Sequence, residues 1–355
     1  MRYHNIQVVR IVAAVAVVLA HLTYYSEKLF HTVAFPFALL EGSWTCFPVP
    51  LFFAISGFVL THAVQRSQTG TFVLGRALRL YPGFWLATIL FAIIIALTGW
   101  PDGVPLMSRL KWIDWTLRPG EVGSRLYILG IEWSLVFEVS LSLSLAAMSL
   151  LGTRRGLPIA TALWLIVLGV KIAVWPGYAM ETLPTWQTFI LSPFNVPFLL
   201  GILTYYLRDL GRSWRWTVFA GLVVYLATVP AQFTTLEGVW VAYGVAAAVA
   251  TWFVVQVRQL SATNPLVVAG EYSYGLYLAH VPLIMGTFAI LLANGWLLDS
   301  TAAVLLVGAI ALVVGLAFGR LEVALHQRLR PLAKLRLGSL NGLVSLRLIR
   351  KRFRF

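Results

Sequence analysis

The apolar residues of this chain are gathered into ten long runs, and that gathering limits the fold more than any other feature. The runs lie near 7–26, 47–65, 80–99, 127–151, 157–175, 187–207, 216–231, 238–256, 272–293 and 301–325, with charged residues, Pro or Gly between them. About 20 apolar residues are what one helix needs to cross a bilayer. In lipid the backbone must satisfy its own hydrogen bonds, so a span is a helix or a strand of a closed barrel. Barrel strands alternate apolar and polar residues over about ten positions, and no such alternation occurs here. With 59% hydrophobic and 11% charged residues in 355, the chain has too few polar side chains to cover a water-facing surface. The expected fold is therefore an all-α polytopic membrane protein of about ten transmembrane helices, with membrane lipids as its first partners.

The opening MRYHNIQVVR followed by an apolar run has the outline of a signal peptide. The run leads directly into further spans with no small-x-small cleavage site, so it is read as the first span. The one cysteine, Cys46, excludes an internal disulfide framework and any multi-cysteine metal site, and no metal is expected.

A net charge of +14 would suggest nucleic acid in a water-soluble protein, but here the positions of the charges explain it. With the N-terminus placed in the cytoplasm, 21 of the 27 Lys and Arg residues fall on the inner side. Lys28, Arg109, Lys111, Arg118, Arg125 and Lys171 remain outside, among Asp102, Asp114, Glu121 and Glu181. This bias is what the positive-inside rule requires, and it predicts an N-in/C-in arrangement. Residues 1–325 form the membrane domain in this reading. The tail 326–355, HQRLRPLAKLRLGSLNGLVSLRLIRKRFRF, alternates bulky apolar and basic residues and reads as a basic amphipathic cytoplasmic segment held to anionic lipid. No nucleic-acid partner is expected. The longest loop, about 100–126, is rich in Trp, Pro and Gly and reads as an interfacial lid.

Charges inside the bilayer are costly and mark function by default. Arg10 and His21 bracket the first run, RIVAAVAVVLAH. Eleven residues bring them to one helix face, about 20° past three full turns and roughly 16 Å apart along the axis. Arg10 is suited to a phosphate at fixed geometry, or serves as an interfacial anchor. His21, past mid-membrane, is suited to general-base work, or only packs between helices. Arg76 and Arg79 in GRALRLYP share one turn at the inner end of the third span, where two guanidiniums can clamp phosphates or simply set topology. Pro82 sits where that helix can begin. In IEWSLVFEVSLSL, Ser134 and Glu138 share a face. Glu138 reaches about the depth of His21, which makes the imidazole its expected partner, orienting His21 and raising its basicity. Glu132 lies nearer the outer interface and is expected to be solvated. In EYSYGLYLAHVPL, Ser273, Tyr277 and His280 form one polar stripe at i, i+4 and i+7, facing a cavity or bonding a neighbouring helix. Ser56-Gly57 in FFAISGFVL permits close helix approach or a local break.

Taken in order, Arg10-x10-His21, FFAISGF, Arg76-x-x-Arg79 before Leu80-Tyr81-Pro82, WSLVFE and SYGLYLAH resemble acyltransferase family 3, the integral-membrane O-acyltransferases. The matches run from about residue 5 to 285, and the chain resembles the stand-alone form without a further periplasmic domain. The opening NIQVVRIVAAVAVVLAH is most similar to the branch that acetylates bacterial exopolysaccharides. Many members carry a second acidic or polar residue directly after the glutamate, where this chain has Val139 and Ser140.

The resemblance implies a transfer of an acyl group, acetyl by expectation, from cytoplasmic acyl-CoA to a hydroxyl of a cell-surface or exported glycan, including a lipid-linked sugar. It implies His21 as catalytic residue with Glu138 supporting it. Arg10, Arg76 and Arg79 would bind the acyl-CoA. Trp133, Ser134, Ser273, Tyr277 and His280 would face substrate. The location implied is the bacterial cytoplasmic (inner) membrane. The roughly 16 Å between Arg10 and His21 suits a donor whose phosphates and thioester are far apart. A different class, a proton-coupled transporter or flippase of a glycan or small molecule, would use the same intramembrane His, Glu and Arg, although no inverted repeat is visible.

Overall fold

The computed structural model describes residues 3–30, 43–98, 107, 115–120, 129–177, 185–229, 232–295 and 301–352. They fold into helices: α1 His4–Phe30, α2 Pro48–Val64, α3 Thr69–Thr98, α4 Glu132–Ser149, α5 Gly156–Val174, α6 Trp186–Phe189, α7 Val196–Leu207, α8 Arg215–Thr228, α9 Leu236–Gln256, α10 Pro265–Glu271, α11 Ser273–Ala293 and α12 Thr301–Arg352. No strand occurs among the described residues.

Each of the ten apolar runs overlaps a helix, but six helices, α1, α3, α5, α9, α11 and α12, contain a segment long and apolar enough to cross a membrane. α2 and the stretch Pro193–Leu207 are apolar but shorter. α4 carries two glutamates and five serines in 18 residues, and α8 has only 14 residues. Among the described residues the structure thus gives six candidate spans where the run count suggests about ten.

The run near 187–207 is broken for a local reason. A residue before proline is pushed out of the α region, and Ser192 precedes Pro193 in an extended conformation. Its hydroxyl caps the 3-10 turn by accepting from the Phe194 N–H at 3.3 Å. The buried Asn195 amide takes the Phe189 carbonyl released by the break.

Pro82, expected at a helix start, lies inside α3, which begins at Thr69. A mid-helix proline leaves the carbonyl four residues earlier without its N–H partner. That carbonyl, on Leu78, lies 3.1 Å from His326 Nδ1 of α12. The same segment of α12 thereby grips the arginine turn of α3. α12 also continues without interruption through Pro331, so the basic tail extends the last apolar helix.

Small residues set two tight crossings. A Cβ on Gly57 of α2 would fall on the Phe198 carbonyl of α7, and one on Gly201 would fall on the Ala54 carbonyl. Ser56-Gly57 therefore serves close approach, with Thr61 Oγ1 donating to the intact Gly57 carbonyl at 2.7 Å. Gly275 of α11 meets Gly319 of α12 in the same way.

Around these crossings the core divides by partner. α1, α11 and α12 share one apolar cluster, α3, α4 and α11 a second, and α2, α4, α5, α7 and α9 a third. The outward faces stay apolar: Ile159, Leu163, Ile166 and Val170 of α5 are exposed, as lipid-facing residues are.

One end of the bundle collects the charged connections. Asn5, next to the start of α1, bonds the Arg258 carbonyl and the Leu260 N–H. Tyr205 donates to Gln65 at 3.1 Å, and Tyr206 donates to the Thr153 carbonyl. The described piece of the long loop, 115–120, packs along the bundle. Tyr81 and Trp85 of α3 donate to the Thr116 and Trp115 carbonyls, and Leu117 is buried in the core.

Candidate active site

Four arginines converge on a cavity of about 550 Å3 at this charged end. Arg10 comes from α1, Arg66 follows α2, and Arg76 and Arg79 sit one turn apart on α3. The three arginines expected to bind an anionic donor are therefore brought together, and Arg66 joins them. Tyr3 and His62 line the same wall, their rings 5.8 Å apart.

Two of the four cations are already matched by acids. Arg76 Nη2 donates to Glu138 Oε1 at 2.6 Å. Arg79 pairs with Glu322 of α12 and lies 5.0 Å over the ring of Tyr274. Arg10 Nη1 donates to Gln7 Oε1 at 3.3 Å, a neutral acceptor. The pairs hold the α3 guanidiniums in place, and Arg10 brings charge that no carboxylate hydrogen-bonds among the described residues.

Glu322 was missed by motif reading. Its sequence signal is a lone carboxylate in the apolar stretch GLAFGRLEVAL, a costly placement in lipid. It is 1% exposed, and Gly83 leaves the space its side chain fills.

A narrower chamber of about 60 Å3 continues inward. It shares Arg10, Ser56, Glu138 and Tyr274 with the larger cavity and adds Ser134, Ser273 and Tyr277. Ser134 Oγ donates to the Ile131 carbonyl at 2.9 Å. It lies 2.6 Å from the Tyr277 hydroxyl, so the phenol donates to Ser134, whose own proton is already committed. Ser273 is fully buried, and its hydroxyl has no hydrogen-bond partner among the described residues.

His21 and His280 meet beyond Tyr277. Their rings are 4.9 Å apart, nearly perpendicular, with His280 Nε2 3.3 Å from His21 Nδ1. His280 Nδ1 lies 2.7 Å from the Tyr277 carbonyl, and His21 Nδ1 lies 3.0 Å from the Val17 carbonyl. A carbonyl only accepts, so both Nδ1 atoms carry hydrogen. His280 Nε2 is then an acceptor, and the His21 Nδ1–H is shared between it and Val17. His21 Nε2 is left with its lone pair and no partner among the described residues.

This corrects the expected pairing. Glu138 belongs to Arg76 and not to His21, because α4 packs against α3 and brings Glu138 to the wall of the arginine cavity. α11 stands beside α1, and the residue it aims at His21 is His280. The polar stripe of α11 is thus split in use: Ser273 and Tyr277 line the chamber, while His280 is buried and touches His21.

Two other expectations change. Trp133 packs among Phe194, Trp240 and Phe137, with ring separations of 5.5, 6.2 and 6.4 Å, and it lines neither the cavity nor the chamber. Glu132 is buried and not solvated. Its two oxygens accept from the Leu129 and Ile131 N–H groups at 2.8 and 3.0 Å, at a helix start where negative charge is favoured.

Comparison with curated proteins and with solved structures finds no match for the chain. Comparison with family models does: an acyltransferase domain, that of acyltransferase family 3, matches residues 3–320. That span holds both histidines, the four arginines and Glu138, and it stops two residues before Glu322. By this match over most of its length the chain belongs to acyltransferase family 3.

Proposed function

We infer that the chain moves an acetyl group from cytoplasmic acetyl-CoA to a hydroxyl of an exported or cell-surface glycan, at the bacterial inner membrane, with N- and C-termini inside. The observation that carries this reading is the arginine-lined cavity, the narrow chamber that shares its Arg10 and Glu138, and the histidine pair that stands next to Tyr277 of that chamber. A polyphosphorylated head suits a cavity with four guanidiniums, and the chamber admits only a thin arm. The family match favours group transfer over the transport reading.

In this mechanism the glycan hydroxyl approaches His21 Nε2. The imidazole takes the hydroxyl proton as the oxygen attacks the thioester carbonyl. A C–O bond forms, the C–S bond breaks, and the departing thiolate recovers the proton from the imidazolium. His280 Nε2 steadies that imidazolium by accepting from Nδ1–H, the service expected of Glu138. Arg10, Arg76 and Arg79 hold the phosphates, with Glu138 and Glu322 fixing the α3 pair. A route through an acyl-histidine uses the same Nε2 as nucleophile.

Purified protein incubated with radiolabelled acetyl-CoA and candidate glycans tests the reading. Wild type should label a glycan. A His21→Ala variant that inserts normally should lose about 10²–10⁴-fold in rate. Full transfer by that variant would overturn the mechanism, and vesicles that dissipate a substrate gradient without labelling would favour transport.

A further inference from the structure

Ser273 presents a buried hydroxyl that nothing among the described residues satisfies. It is 0% exposed, and it borders the chamber that adjoins the arginine cavity. Buried polar groups are mostly paired. Other buried atoms here also lack a hydrogen-bond partner among the described residues, Trp240 Nε1 and Glu322 Oε2 among them. Of these the Ser273 hydroxyl alone borders the chamber, and an orphan at a passage points to a ligand. One helical rung further in, the Tyr277 phenol donates to Ser134, which leaves its oxygen lone pairs open to an N–H.

The spacing along α11 identifies the ligand's chemistry. From His280, Tyr277 lies three residues back and Ser273 seven, about 4.5 and 10 Å of helix rise. An extended chain advances roughly 1.1–1.2 Å per bond, as a three-bond residue spans ~3.3–3.6 Å. In an acyl-pantetheine the nearer amide carbonyl carbon is four bonds from sulfur and the farther one eight, hence about 4.6 and 9.2 Å. With the thioester at the level of the histidines, the two amides fall at the levels of Tyr277 and Ser273.

We propose that Tyr277 and Ser273 form a subsite for the two amides of the donor's pantetheine arm, with the phenol oxygen accepting the nearer N–H and the Ser273 hydroxyl donating to the farther carbonyl. The subsite rests on the acyl-CoA reading above and adds what that reading lacks, a register for the arm. Ser56 of α2 and Tyr274 of α11 also line the chamber, whose small volume of about 60 Å3 keeps the arm extended, and the thioester stops at His21.

The test compares acetyl-CoA with a full-length acetyl-CoA analogue whose farther amide is replaced by methylenes. Wild type should prefer the natural donor about 5–30-fold in kcat/KM, the range for one satisfied buried hydrogen bond. Ser273→Ala should lose that factor with acetyl-CoA and change less than twofold with the analogue. Tyr277→Phe should lose a similar factor with both donors, since both keep the nearer amide. Thermal unfolding in detergent checks that each variant folds. Equal loss with both donors in Ser273→Ala, or wild type that does not distinguish them, overturns the subsite. Transfer from no CoA thioester at all would remove the donor reading itself, and the subsite with it.

Discussion

At the residue scale, the protein separates two jobs that one motif view merges. The acids of the site neutralise arginines, and a second histidine does the orienting. Removing the His280 ring leaves the His21 Nδ1–H with only the Val17 carbonyl and frees the imidazole to turn. We expect His280→Ala to lower kcat about 10²-fold with little change in the KM for donor, and His280→Gln, which keeps an acceptor, to recover part of it. Stability cycles separate the pairs directly. His21 with His280, and Arg76 with Glu138, should couple by about 0.5–3 kcal/mol, while His21 with Glu138 should add within about 0.5 kcal/mol. Coupling of His21 to Glu138 as strong as that to His280 would restore the pairing expected from sequence. Arg10 and His21 were legible as a pair of positions because a helix fixes both face and depth. Which group each one meets was not, because that depends on which neighbour stands beside α1.

At the element scale, backbone contact between helices sets the site. α2 and α7 touch through Gly57 and Gly201, and Ser56, next to the first of these, lines both the cavity and the chamber. Gly57→Ala puts a methyl against the Phe198 carbonyl and should destabilise by about 1–3 kcal/mol. Gly169→Ala on α5 meets open space and should be neutral or stabilise by about 0.5–1 kcal/mol, since alanine is the better helix former. Paired thermal melts in detergent give the comparison, and equal behaviour of the two variants would contradict the crossing. Proline placement shows the limit of local reading. Pro193 breaks its run as expected of a proline, whereas Pro82 is absorbed into α3 because His326, far away in sequence, meets the carbonyl it strands.

For the whole molecule, the charged connections gather at one end, and the arginine cavity opens among them. That end should be cytoplasmic, where acyl-CoA is found. In a Cys46→Ser background, an impermeant thiol reagent on intact cells should label a cysteine at Trp175, exposed at the far end of α5. A cysteine at Arg155, at the near end, should label only after permeabilisation. The reverse pattern would invert the topology. The exposed apolar residues of α5 and α8 agree with the composition, and six helices among the described residues are long and apolar enough to cross a bilayer. α4, the more polar, supplies Ser134, Leu135 and Glu138 to the walls of the site, and the short α7 packs behind α2.

The sequence alone determined the apolar solvent and the helical class, and it singled out Arg10, Arg76 and Arg79, which the fold brings to one cavity. Those follow from composition, run length and helical period, which are local properties of the chain. Tertiary structure decided the partners: Glu138 with Arg76, Glu322 with Arg79, His280 with His21, and Ser273 with none among the described residues. A partner is a matter of which helix packs against which, and that is settled by glycine crossings, broken runs and long-range caps spread over the whole chain.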